Sequence, residues 1–177
     1  VASVPGPSDE TFEAFVDAHA AALGRLAHQL TGDHDRALDL AQDTLVRALD
    51  GWDRVEAAEH RFAYVRRMMV NLHLNSRRIR VPVPTDPAVA DARSDAVDQA
   101  SDQAEQDAMW RALGELPVRQ RTVLVLRYYE GVPDTEIAAI IGCRRATVRS
   151  LAARGLAALR RSSQLVTASD SESRRVP

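Results

Sequence analysis

The 177-residue chain contains no lysine, and all 23 of its basic residues are arginine. So uniform a bias points to a GC-rich coding sequence, and arginine becomes informative only where it clusters. Cysteine is nearly absent as well. Cys143 stands alone, which excludes an internal disulfide or a cysteine-based metal cluster and suits a reducing compartment. Its expected role is small, buried packing. Aromatic residues are few, three Phe, three Tyr and two Trp, whereas Ala, Leu, Val and Arg abound, which favours helices over a sheet-rich core. No apolar run reaches membrane-spanning length and none reads as a secretory leader, so the expected compartment is the cytoplasm, with no membrane insertion. A glycine-rich phosphate loop, clustered metal ligands and a nucleophile-base pair are also missing, so neither catalysis nor a cofactor or metal is expected.

What is present is 45% apolar content, enough for one ordinary domain or two small ones, and a net charge of −2 that conceals blocks. Residues 1–59 hold 12 acids and four arginines, and residues 60–80 hold six arginines and no acid. Residues 81–110 hold seven acids and one arginine, and residues 111–161 ten arginines and four acids. Two basic segments separated by an acidic one give a chain without overall basic excess two local footprints for a polyanion.

The apolar spacing predicts an all-α protein. Ser8 or Asp9 can cap a first helix that presents Phe12, Phe15, Val16, His19, Leu23, Leu26, Ala27 and Leu30 at helical intervals. Thr31-Gly32-Asp33 reads as a stop followed by a new cap, and Gly51 ends a second helix, about 35–49, that turns Ala37, Leu38, Ala41, Leu45 and Ala48 inward. Trp52 and Val55 fall in or beside a loop. A third helix, about 58–78, contributes Phe62, Val65, Met69, Leu72 and Ile79, with Tyr64, Arg66, Arg67, Asn71, His73, Asn75, Arg77 and Arg78 on its other faces. These helices make a domain over residues 8–80. A flexible acidic linker follows over 81–100, marked by Val81-Pro-Val-Pro84 and Pro87. A second helical domain spans 101–161, with Pro117 opening a helix that offers Val118, Val123, Leu124 and Leu126 for packing, and 162–177 reads as a mobile polar tail.

Within the second domain, Pro133-Asp-Thr-Glu-Ile-Ala-Ala-Ile-Ile-Gly-Cys-Arg-Arg-Ala-Thr-Val-Arg-Ser150 has the form of a helix-turn-helix. Ile137, Ala138, Ile141 and Val148 have the spacing to pack its two helices together, and Gly142 suits the turn. The outer face of the second helix then carries Arg144, Arg145, Thr147, Arg149, Ser150 and Arg154. Arginine can grip phosphate or donate two hydrogen bonds to guanine, and the hydroxyls add short-range contacts, so this face is a candidate DNA-reading surface. The alternative is a packed helix pair whose arginines only solvate it.

Two helical domains with basic surfaces and an acidic linker, carrying these motifs, resemble the extracytoplasmic-function sigma factors of the sigma-70 family over about residues 10–161. The resemblance is to an actinobacterial, SigE-like branch that reads Tyr-Val-Arg-Arg-Met-Met-Val-Asn and Leu-Arg-Tyr-Tyr-Glu, here at 64–71 and 126–130. It implies core RNA polymerase and promoter DNA as partners, and an anti-sigma protein besides. Leu30-Thr-Gly-Asp33 and Asp39-Leu-Ala-Gln-Asp-Thr-Leu-Val-Arg47 resemble the polymerase-binding segment, which assigns Asp39, Gln42, Asp43, Leu45 and Arg47 to that surface. An acidic helix with one apolar face buried keeps another free for a partner's arginines. Phe62-Ala-Tyr-Val-Arg-Arg-Met-Met-Val-Asn-Leu-His-Leu-Asn-Ser-Arg-Arg78 resembles the promoter-opening segment. It supplies Tyr64, Asn71, Arg66, Arg67, Arg77 and Arg78, with Trp52 beside the loop that would receive a flipped base. Opened strands need stacking surface, polar atoms and cations, and these residues have them.

Leu113-Gly-Glu-Leu-Pro-Val-Arg-Gln-Arg-Thr-Val-Leu-Val-Leu-Arg-Tyr-Tyr-Glu-Gly131 resembles the family's entry helices. The reading segment departs from the usual Gly-Cys-Ser-x-Gly-Thr-Val-Lys-Ser form: Arg144 takes the place of a capping hydroxyl, which weakens the cap by about 1 kcal/mol, and Ala146 takes the place of a glycine, which should stiffen the turn. The resemblance implies a sigma factor that reads an upstream element with its second domain and opens the downstream element with its first. Two other readings use the same motifs: a dimeric helix-turn-helix regulator that binds a palindrome without polymerase, and an adaptor that binds polymerase without initiating.

Overall fold

A computed structural model describes the backbone of residues 11–79 and 109–173, and the side chains of 11–75 and 109–162. The expected linker and the side chains of Arg77, Arg78 and Ile79 lie outside the described residues. All described regular structure is helical, and the chain divides into two units, one running to His73 and the other from Leu74. No helix among the described residues is long and apolar enough to cross a membrane.

In the first unit, α1 (Phe12–Thr31) is capped by Thr11, whose hydroxyl accepts from the Ala14 N–H at 3.3 Å, a cap further along than Ser8 or Asp9. Gly32 closes α1 in the left-handed region at φ 68°, and Asp33 starts α2 (His34–Asp50) by accepting from the Arg36 N–H at 2.9 Å. That stop-and-cap follows the sequence expectation, since glycine tolerates the positive φ and a short carboxylate satisfies an orphan donor of the new helix.

Trp52 and Val55 lie beside a loop, at 57–60, and not in it. They belong to a one-turn helix, α3 (Trp52–Glu56), followed by α4 (Arg61–Ile79), which begins three residues later than the apolar period suggested. The core is built from Phe15, Leu23, Leu26, Ala27 and Leu30 of α1, Ala37, Leu40 and Ala48 of α2, Val55, and Val65, Met69 and Val70 of α4. Thr44 is fully buried, and its hydroxyl donates to the Leu40 carbonyl at 2.6 Å, which satisfies it within its own helix. His73, expected on the surface, is buried instead.

Among the described residues of the second unit a helix over 109–115, here α5, is separated by Leu116-Pro117 from α6 (Val118–Leu124). All residues from Arg121 to Leu126 are buried, so this stretch is enclosed on every side and not amphipathic. Of its polar members, Thr122 donates to the Val118 carbonyl at 2.9 Å, and Arg121 donates through Nη2 to the Gly114 carbonyl. The helix then widens into a π turn, Val125–Tyr129, with the Glu130 N–H donating to the Val125 carbonyl five residues back at 3.1 Å.

Gly131, at φ 63°, leads into α7 (Asp134–Ile141), and Gly142, at φ 65°, turns the chain into α8 (Arg145–Ser173). Both α6 and α7 pack on α8. The backbone of α8 continues helical beyond residue 162, where the sequence suggested a tail; the stretch to Ser173 contains neither glycine nor proline to stop it.

Candidate nucleic-acid interface

The helix-turn-helix of the second unit is assembled from its core outward. Ile137, Ala138, Ile141 and Val148 are all buried, as their spacing predicted, and they fix α7 against the first turns of α8. Arg119 of α6 adds a polar tie by donating to the Ile141 carbonyl at 3.2 Å, at the end of α7, where orphan carbonyls favour a cation. Cys143 is only half-buried, so its expected core role is not what the turn uses it for. The turn is made by Gly142, whereas Ala146 lies inside the first turn of α8, so it favours helix there and does not stiffen a loop.

Packing one side of α8 leaves the other to solvent. Arg144, Arg145, Arg149, Ser150 and Arg154 are exposed and Thr147 is half-buried beside them. Arg144 is the residue before the helix, and its carbonyl accepts from the N–H groups of Thr147, at 2.8 Å, and Val148, at 3.2 Å. An arginine side chain has no acceptor for the free N–H groups of the first turn, which therefore remain directed outward with the arginines. Arg154 folds back, its Nε donating to the Ser150 carbonyl at 3.2 Å. Oriented N–H groups, cations and hydroxyls on one helix face can bind a phosphate backbone and base edges.

A charge cluster that the sequence pattern does not reveal supports this face. Arg127, on the π turn, donates through Nε to Asp134 Oδ1 at 2.9 Å, and its Nη2 bonds both carboxylate oxygens. Asp134 opens α7, and its Oδ2 also lies 3.8 Å from Arg149 Nε. The Arg127 hydrogen bonds hold the Asp134 carboxyl below its ordinary range against the opposing effect of burial, and the charges of Arg127, Arg149 and Arg145 add to this. The same bonds raise Arg127. Next to this cluster the Arg127 guanidinium lies 5.9 Å from the Tyr128 ring centroid, and the Tyr129 ring packs tilted by 37° against Trp110 of α5, with centroids 5.1 Å apart.

In the first unit, Asp39, Gln42, Asp43 and Arg47 are exposed on α2 and Leu45 is half-buried. The structure corrects Leu38, which does not turn inward: it is 58% exposed, and Val46 and Leu49 are exposed by 51% and 54%. The outward face of α2 is thus an apolar stripe edged by acids, not a purely acidic one. The side that faces α1 is lined by Ala37, Leu40, Thr44 and Ala48, leaving the larger apolar residues more than half exposed. Three large exposed aliphatic side chains on one helix are the mark of a partner surface.

On α4, Tyr64 and Arg67 are exposed while Arg66 and Asn71 are half-buried, so the expected strand-binding residues divide between surface and flank. Trp52 is drawn into an aromatic cluster, its ring centroid 5.4 Å from that of Phe12 and 5.5 Å from that of Phe15, with His19 bridging Phe15 at 4.7 Å and Phe62 at 5.0 Å. It is half-buried there, so closing the core is one of its roles. Among the described residues no group of His, Cys, Asp and Glu could hold a metal ion.

Comparison with known proteins agrees with this arrangement. Sigma-70 region 2 matches residues 15–80 and sigma-70 region 4 matches residues 106–159. The chain is 36% identical over 151 residues to the RNA polymerase sigma-E factor of Streptomyces coelicolor, covering 84% of each protein. It is 33% identical over 147 residues to the ECF RNA polymerase sigma factor SigL of Mycobacterium tuberculosis, covering 77% of this chain and 80% of that one. Among solved structures it is similar to the sigma factor RpoE crystallised with the anti-sigma factor NepR from Bartonella quintana, with a TM-score of 0.65 and 25% identity over 86% of this chain and 96% of that one. It is also similar to CnrH in complex with the cytosolic domain of CnrY, with a TM-score of 0.59 and 25% identity over 89% and 88%. With both family regions matched in order along one all-helical chain, the protein belongs to the extracytoplasmic-function sigma factors of the sigma-70 family, non-catalytic proteins that bind core RNA polymerase and direct it to promoters.

Proposed function

We propose a division of labour among three surfaces of this sigma factor. The outward face of α2, with Leu38, Asp39, Gln42, Asp43, Leu45, Val46, Arg47 and Leu49, docks on core polymerase: the aliphatic stripe supplies desolvation and the acids orient the encounter with a basic partner. Tyr64, Arg66, Arg67 and Asn71 of α4, in a stretch without a single acid from 60 to 80, engage the opened strand, and the flanking Arg77 and Arg78 extend the positive charge along the same helix. Trp52 contributes its free edge from the aromatic cluster. Arg144, Arg145, Thr147, Arg149, Ser150 and Arg154 of α8 bind the upstream element. Residues 8–80 act as the polymerase-binding and opening domain, 81–100 as the linker and 101–161 as the upstream reader.

The observation that carries this reading is the exposed arginine face of α8, set by a buried helix-turn-helix core, in a chain that also bears an exposed apolar stripe on α2. By analogy with RpoE, solved with the anti-sigma factor NepR, an anti-sigma protein is a further partner. Its work lies with polymerase, in the cytoplasm. Transcription and strand opening by purified core polymerase across genomic promoter fragments test the proposal. Selective initiation that depends on this chain is the expected result. Polymerase binding without opening would make it an adaptor, and tight duplex binding without polymerase would make it a dimeric regulator.

A further inference from the structure

Asp134 is not among the DNA-facing residues named so far, yet it touches one of them. Its carboxylate is held on one side by Arg127 and lies on the other within ion-pair reach of Arg149 Nε, at 3.8 Å. The Asp134 side chain is 15% exposed and that of Arg149 62%. One edge of the Arg149 guanidinium therefore meets a fixed anion while the rest stands in solvent on the reading face. An ion pair so exposed adds little to stability, so its consequence is directional.

A guanidinium has two bidentate edges, one made by Nε with a terminal nitrogen and one made by the two terminal nitrogens. With the Nε side turned to Asp134, the terminal pair is left for a ligand. Two parallel N–H donors match the N7 and O6 acceptors of guanine in the major groove. Phosphate at the same guanidinium is opposed by the carboxylate beneath it, because the two anions would share one cation.

We propose that Asp134 is a positioning residue that presents Arg149 end-on to a guanine of the upstream promoter element and disfavours a phosphate contact by the same side chain. The inference rests on α8 being the upstream reader. It adds a specificity determinant on α7, one helix away from the base it selects.

The test is selection of randomised upstream elements by holoenzyme carrying the full chain, wild type or with Asp134→Asn, Arg149→Ala or both, followed by competition binding against salt. The wild type should prefer guanine about tenfold at one position, and Arg149→Ala should abolish that preference. Asp134→Asn, which keeps an acceptor for Arg127, should cut the preference to about twofold or less. It should also steepen the salt dependence by about one counterion as Arg149 turns to phosphate. In the Arg149→Ala background, Asp134→Asn should change neither quantity. A change that persists there, or a guanine preference that stays near tenfold in either single substitution, overturns the proposal. Asp134→Ser decides the matter should Asp134→Asn misfold: it keeps a polar side chain at the start of α7 and removes the anion beside Arg149, so it should lower the guanine preference in the same way, and an undiminished preference would overturn the proposal. A motif that is selected but indifferent to Arg149 removes only the Asp134 inference, whereas wild-type holoenzyme that selects no upstream sequence removes the reading of α8 as well.

Discussion

A β-carbon placed on Gly155 of α8 would lie 2.9 Å from Cδ1 of Leu124 on α6. Leu124 is buried, so its side chain would have to shift within a packed core to admit a β-carbon at 155. Gly155→Ala gains about 1 kcal/mol of helix propensity but meets an overpacking cost of about 2 kcal/mol, for a net loss of about 1 kcal/mol. Gly24 of α1 is the counterpart: a β-carbon there would meet nothing within 4 Å, so Gly24→Ala should stabilise by about 0.5–1 kcal/mol. Urea melts of the two variants should move in opposite directions. A stabilised Gly155→Ala would show that Leu124 yields freely.

The Arg127–Asp134 pair gives the second unit an acid limit. Arg127 hydrogen bonds hold the Asp134 carboxyl below its ordinary value of 3.8. A depressed carboxylate contributes stability that is complete above the unfolded value and is lost as pH falls through the folded one. The stability difference between wild type and Asp134→Ala should be about 2 kcal/mol and constant from about pH 5 to 7, then shrink below about pH 4. A difference unchanged in acid would mean that the pair is not what holds the π turn to α7.

Arg144 should trade stability for charge. Arg144→Ser supplies the acceptor that the start of α8 lacks and should stabilise the protein by about 1 kcal/mol. It removes one cation from the reading face, so the salt dependence of DNA binding should become shallower by about one counterion. Thermal melts and salt titrations read the two effects separately, and an unchanged salt slope would place Arg144 away from phosphate.

The exposed stripe on α2 should matter to the partner and not to the fold. Leu38→Glu and Leu49→Glu change side chains that are 58% and 54% exposed, so folding should shift by no more than about 0.5 kcal/mol. Affinity for core polymerase should fall about tenfold or more in each, as for a desolvated aliphatic anchor replaced by a charge. Fluorescence anisotropy with labelled protein measures this, and unchanged affinity would move the docking surface off α2.

Much of this is legible in the chain and some is not, for identifiable reasons. The Gly32-Asp33 stop and cap, the Pro117 boundary and the Ile137, Ala138, Ile141 and Val148 core follow from local chemistry acting over a few residues. Leu38 departs from its expected place because α2 carries apolar residues on more than one stripe, and periodicity cannot tell which stripe meets α1. The narrow stripe of Ala37, Leu40, Thr44 and Ala48 goes inside, where the large side chains of α1 already fill the space. His73 departs for the same reason in reverse, a polar residue on a face that turns inward. The one-turn helix at Trp52 is too short for a period to show.

The sequence by itself determined the helical class, the helix-turn-helix and its arginine-bearing face, since caps, turns and the 3.6-residue repeat are local properties of neighbouring residues. Only the tertiary structure decided that Arg127, Asp134 and Arg149 form one cluster, that Gly155 admits Leu124, and that the aliphatic side chains of α2 face outward. Each joins residues on different helices, or chooses between faces of one helix, through packing that no local pattern encodes.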